Sequence, residues 1–157
     1  MKGKDIDQLP PKKVLAMVSG YFEERFGLSP DVFSGHSLYL SSKGRVYLGP
    51  KSAIDKPKIV TLGLLAARVG NSVKPTTNIL QLFGRKVTKS IIELTREQTI
   101  SFARGEDLAL RPEQADSCPA GYVLLRHAGY PLGCGQLQGR FIKTMLPKAK
   151  RLEIKIL

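Results

Sequence analysis

Apolar positions recur at helical spacing first in the stretch PPKKVLAMVSGYFEERFGL, where Val14, Leu15, Val18, Phe22 and Phe26 share one side of a 3.6-residue period. Pro11 suits the first turn of that helix, and Gly27 its stop. LSPDVF then predicts a short turn. In HSLYLSSKGRVYLG the period falls towards two, which predicts two strands around a Lys43–Gly44 turn. KIVTLGLLAARVG predicts a short β-branched strand followed by small residues, with Gly70 as its stop. KPTTNILQLFG predicts a short helix, capped by Thr76 or Thr77 and closed by Gly84, with Ile79, Leu80 and Phe83 on its apolar side.

From residue 86 the pattern changes. KSIIEL is a predicted strand, and TREQTISFARG a helix whose Thr95 and Gln98 have capping-box spacing and whose stop is Gly105. LALRPEQADSCPAG, rich in proline and acids, is expected to be loop. YVLLRH is a buried strand, AG a tight turn and YPLGCGQLQ the returning strand; GRFIKTMLPK and RLEIKIL close the chain with short strands. A strand, a helix and then many short strands imply a small barrel. The expected fold class is α+β, with a small N-terminal α/β domain (1–87) followed by a β pseudobarrel (88–157). The boundary near 86–89 carries no linker composition, so the two halves are expected to pack together.

A chain of 157 residues can bury a core without disulfide staples. Cys118 and Cys134 are too few for a disulfide framework, and with His36 and His127 they offer no zinc-ligand spacing. No metal and no cofactor is expected. The first residues lack the apolar run of a signal peptide, and no stretch approaches the ~20 apolar residues of a membrane span. A cytoplasmic protein without membrane contact is the expectation. The net charge of +12 is unevenly spread. Residues 43–89 carry ten basic side chains and one acidic, residues 90–118 three basic and six acidic, and residues 119–157 seven basic and one acidic. Two basic blocks around an acidic segment form a footprint for a polyanion.

Three groups of residues bear on chemistry. GCGQLQG superficially matches a dinucleotide-binding loop, but that motif must join a strand to a helix. Here RFIKTMLP follows, and Pro147 cuts a helix short, so the glycines are expected to permit strand bending and close backbone approach. Cys134 could meet His127 across the hairpin and form a dyad; the plain alternative is a buried structural thiol. Glu106 and Asp107 have the character of turn residues. The third group is Arg104 with Gly105 at the helix end, together with Arg140, Lys143, Lys148, Lys150 and Arg151. Such cations neutralise phosphates rather than perform chemistry. Because they follow Pro147, Lys148, Lys150 and Arg151 are expected on extended chain. Tyr122, Tyr130 and Phe141 are candidates for base stacking, with barrel core as the alternative.

The order strand, LTREQTISFARGEDL, loop, GYVLLRHAGYPLGCG resembles a PUA domain, an RNA-binding pseudobarrel. VKPTTNILQLFG, FARGEDL and GYPLGCGQLQGRFIKTMLPKAKR further resemble the RNA-binding region of the Sun/Nop family of RNA 5-methylcytosine methyltransferases, over roughly residues 20–152. Those enzymes carry an AdoMet-binding Rossmann-like domain and catalytic cysteines in Pro-Cys and Thr-Cys contexts. This chain has no room for that domain, and Cys118 precedes its proline. The resemblance therefore implies the recognition module without the catalyst: a non-catalytic RNA-binding protein of tRNA or rRNA modification or ribosome biogenesis. It also implies RNA contacts at Arg104, Gly105 and Glu106, with Lys143, Lys148, Lys150 and Arg151 from the family's basic motif. A separate RNA methyltransferase or a ribosomal particle is the implied partner. The layout of an α/β domain ahead of a PUA also resembles the Nip-type ribosome-biogenesis factors, which implies an archaeal host. The alternatives are a subunit docking an acidic protein and, less favoured, a small Cys/His enzyme.

Overall fold

The computed structural model describes residues 11–50 and 63–151. Helix α1 (Pro11–Phe26) buries Val14, Val18, Phe22 and Phe26 on the expected face. It ends at Gly27, whose φ of +67° turns the chain while its N–H donates to the Glu23 carbonyl at 2.9 Å. A 3-10 turn, Pro30–Phe33, follows under a Ser29 cap. Strands β1 (His36–Leu40) and β2 (Arg45–Pro50) pair antiparallel around Lys43 and Gly44, both at positive φ.

Strand β3 (Leu64–Val69) lies on the residues that follow the β-branched run KIVTL; the strand expected on that run falls outside the described residues. Ala66 and Ala67 are wholly buried there, and their size lets neighbouring elements approach. A short β4 (Val73–Pro75) completes an antiparallel sheet of order β1-β2-β3-β4. Helix α2 (Thr77–Phe83) follows, capped by Thr76, which accepts from the Ile79 N–H.

The second sheet has five strands, in the spatial order Ile91–Glu93, Gly121–His127, Tyr130–Gln138, Phe141–Thr144 and Leu108–Ala109. Strand β5 (Ile91–Glu93) runs parallel to β7 (Gly121–His127), and α3 (Arg96–Ala103) leads away from β5 under the expected Thr95–Gln98 capping box. The segment expected to be loop holds two elements, β6 (Leu108–Ala109) and α4 (Pro112–Ala115). The first pairs with a strand further along the chain, Leu108 opposite Ile142 and Ala109 opposite Phe141, and Gln114 fixes the second. Its Oε1 accepts from the Arg111 N–H, while its amide donates to the Glu93 carbonyl and exchanges hydrogen bonds with the Gln98 amide. Strand β8 (Tyr130–Gln138) returns from β7 through Ala128 and Gly129, both at positive φ, and β9 (Phe141–Thr144) closes onto β6. The last expected strand, in RLEIKIL, lies outside the described residues apart from Arg151.

The β7–β8 hairpin joins two cores. Leu124 and Cys134 belong to the cluster of α1, α2 and the first sheet, whereas Val123, Leu125 and Leu137 belong to that of Ile92, Phe102, Leu108 and Ile142. Polar links reinforce the junction. Arg25 donates to the Tyr122 and Pro119 carbonyls at 2.7 and 2.8 Å, and Ser90 and Thr88 satisfy the last carbonyls of α1. Gly84 lets α2 close on the hairpin, because an added methyl there would stand 2.3 Å from Pro131 Cβ.

Gly84→Ala should therefore lower the unfolding free energy by about 1–3 kcal/mol through overpacking. Gly20→Ala, whose methyl meets nothing within 4 Å in mid-helix, should raise it by about 0.5–1 kcal/mol. Urea denaturation of the two variants beside the parent protein reads both signs.

Candidate functional site

The end of α3 is built by its backbone. The Gly105 N–H donates to the Phe102 carbonyl at 2.9 Å and the Glu106 N–H to the Ser101 carbonyl at 3.0 Å, which is a Schellman ending with Gly105 at φ +81°. Asp107 then accepts from the Thr144 N–H at 3.0 Å, which ties the loop to the end of β9. Arg104 caps the helix, and Glu106 is exposed beside it.

Arg151 lies across this turn. A methyl on Gly105 would stand 2.3 Å from both Cδ and Nε of Arg151, so the arginine stem rests on bare backbone. Its Nε also donates to the Leu146 carbonyl at 3.3 Å. Gly105 thus has two uses: the positive φ of the turn, and room for an arginine far along the chain. Lys148–Lys150 form a 3-10 turn after Pro147 instead of extended chain. The reason is local: the Pro147 carbonyl accepts from the Lys150 N–H at 2.8 Å, and the Lys148 carbonyl from the Arg151 N–H at 3.2 Å. Lys150 Nζ donates to Gln81 on α2 at 3.1 Å, and Lys148 is exposed.

The expected residues divide into two groups. Gly105 and Arg151 touch, and Arg104, Glu106, Lys148 and Lys150 are carried by the same two turns. Lys143 is exposed on β9, next to buried Ile142. Arg140 sits at the opposite end of β9 from the Asp107–Thr144 link, where its carbonyl accepts from the Leu110 N–H. Four residue steps run from Arg140 to Thr144, about 13 Å. Of the stacking candidates, Phe141 and Tyr130 are each 63% exposed, whereas Tyr122 packs against the first core. The Tyr130 ring faces the Arg85 guanidinium at 6.0 Å, a pairing that no local sequence signal announces.

Cys134 and His127 do not form a dyad. In the hairpin Cys134 stands opposite Leu124 and His127 opposite Tyr130. The His127 Nδ1 lies 2.7 Å from the Leu94 carbonyl, and burial pushes the Cys134 thiol up to about 12. The glycines around it serve packing: a methyl on Gly135 would meet Ile142 at 2.5 Å and Leu125 at 3.0 Å inside the barrel. Cys118 is half-buried in an open cleft of about 710 Å³ between α1, the start of β5 and the 117–119 loop. Among the described residues no cluster of His, Cys, Asp and Glu could hold a metal, and no helix is long and apolar enough to cross a membrane.

Residues 89–152 match the family described as the methyltransferase RsmF PUA domain. No curated protein matches the chain. The second sheet with α3 is accordingly a PUA-like pseudobarrel in an α+β protein, and it resembles the RNA-binding regions of Sun-type methyltransferases.

Cys134→Ser should place a hydroxyl in the first core and cost about 1–3 kcal/mol of stability. A thiol reagent at neutral pH should modify Cys118 in the native protein and reach Cys134 after denaturation. Two thiols reacting at equal rates in native protein would contradict the assignment.

Proposed function

We propose that the PUA domain is the recognition module of a non-catalytic RNA-binding protein serving tRNA or rRNA modification or ribosome biogenesis. The proposed division is a domain at 1–87 that supports the PUA domain at 88–157, working in the cytoplasm. A separate RNA methyltransferase or a ribosomal particle is the partner that would use the delivered RNA.

The observation that carries the proposal is the seat of Arg151 on Gly105. It puts the guanidinium stem of the basic tail against the turn that ends α3, so cations of the tail and of Arg104 share one rim of the barrel. A rim of cations suits phosphates, which need charge and hydrogen-bond donors but no acid–base group. Arg140 and Lys143 extend the same service along β9, where exposed Phe141 offers a ring for a base.

Replacing Lys148, Lys150 and Arg151 together with Gln should weaken binding of a tRNA nearly uniformly across sequences. It should also flatten the plot of log affinity against log salt by about 0.7–0.9 per lost phosphate contact. Filter binding over a salt series measures both. Unchanged affinity and slope would make the tail a solvated surface and remove the proposal's footing.

A further inference from the structure

The first sheet turns one face to the cores and the other to solvent, and the solvent face carries an arrangement that folding alone does not favour. In register, Arg45 of β2 stands opposite Arg68 of β3, and Arg68 stands opposite Lys74 of β4. All three are exposed, while their strand neighbours Val46, Ala67, Val69 and Val73 are buried. Three cations therefore sit side by side across three adjacent strands, spanning about 10 Å at the usual inter-strand spacing. Like charges directly opposite one another destabilise a sheet. No carboxylate on these strands relieves them, since residues 36–50 and 63–75 contain no Asp or Glu. The ion pair of Arg126 with Glu93 lies in the other sheet.

A second row runs beside the first. Tyr39 stands opposite Tyr47, and Tyr47 opposite Leu65. These three are half-buried and belong to neither core, in contrast to Leu38, Leu40 and Leu64, which pack inward. The register shift between Val46 and Tyr47 keeps both rows on the solvent face, although Arg68 and Leu65 are three residues apart on β3. Tyr47 follows Arg45 by two residues, about 7 Å along the strand.

We infer that this face is a second, independent RNA-binding surface, which takes single-stranded RNA with its phosphates on Arg45, Arg68 and Lys74 and its bases on Tyr39 and Tyr47. A cation row next to an aromatic row matches a ligand that alternates anion and flat ring. An acidic polypeptide would answer the charge and leave the rings without a partner. A duplex would offer phosphates with its base faces already stacked. The choice of RNA as ligand rests on the reading of the PUA domain, while the surface is separate from it.

The test is fluorescence anisotropy with a labelled oligouridylate about 12 nucleotides long, beside a folded tRNA and poly-aspartate. Three proteins are compared with the parent: Arg45→Gln/Arg68→Gln/Lys74→Gln, Tyr39→Leu/Tyr47→Leu, and the Gln triple in the tail. The cation-row variant is expected to lose about tenfold or more in oligouridylate affinity and about two units of salt slope. It should melt no lower than the parent, since it removes repulsion. The tyrosine variant is expected to lose a comparable factor with its salt slope unchanged, its fold confirmed by circular dichroism. If both bind oligouridylate as the parent does while the tail variant loses tRNA, the inference fails and the PUA reading stands. A parent that binds tRNA but no oligouridylate overturns the inference in the same way. Poly-aspartate binding equal to oligouridylate binding, with the tyrosine variant unaffected, would mark a site for acidic protein and overturn it as well.

Discussion

Everything in this fold hangs on the β7–β8 hairpin being buried on both faces. Leu124 and Cys134 fill the first core, and Val123, Leu125 and Leu137 fill the second. Side chains alternate along a strand, so a one-residue slip would send each set into the wrong core. The Ala128–Gly129 turn, with both residues at positive φ, holds the register at one end. Further along, Leu132 is an extra residue between the Arg126–Pro131 and Leu125–Gly133 pairs. Its carbonyl accepts from Gln81 of α2, and the Cys134 N–H donates to Thr77 of the same helix. The irregularity in the strand is thus where the helix is attached.

That attachment decides where the charges go. Strand β9 pairs with the hairpin, the tail follows β9, and Lys150 reaches Gln81 on α2. The loop after α3 is held to β9 by Asp107 and covered by Arg151. Two acidic residues of the middle segment have structural tasks: Glu93 pairs with Arg126, and Asp107 receives the Thr144 N–H. The basic tail borders the α3 turn, and the cation row lies on the exposed face of the first sheet. A single RNA chain long enough to leave the barrel could meet both surfaces, and the second contact would then gain from effective concentration rather than from new chemistry.

Local signals were legible wherever the physics is local. The Thr95–Gln98 box, the stop at Gly105 and the Lys43–Gly44 and Ala128–Gly129 turns each need a few consecutive residues, and each is present as expected. Elements secured by distant partners were not legible. Helix α4 depends on Gln114 reaching Glu93 and Gln98, and strand β6 on pairing with β9, and nothing in LALRPEQA announces those partners. The same holds for the site. The motif grouped the helix-end loop with the basic tail, but the contact of Gly105 with Arg151 depends on β6 pairing with β9 and on Asp107 holding the loop to the end of β9. The cation row is invisible in the sequence because Arg45, Arg68 and Lys74 lie far apart along the chain, and a bulge shifts the register that aligns them. Composition marks the block at 43–89 as basic; the sheet turns it into a line.

With the hairpin shared in this way, neither sheet keeps its core without the other. Differential scanning calorimetry of the whole chain at low salt tests this most directly. A shared hairpin predicts one transition whose calorimetric and van't Hoff enthalpies agree, displaced as a whole by Gly84→Ala at the junction. Two separated transitions, with only one of them moved by Gly84→Ala, would contradict it.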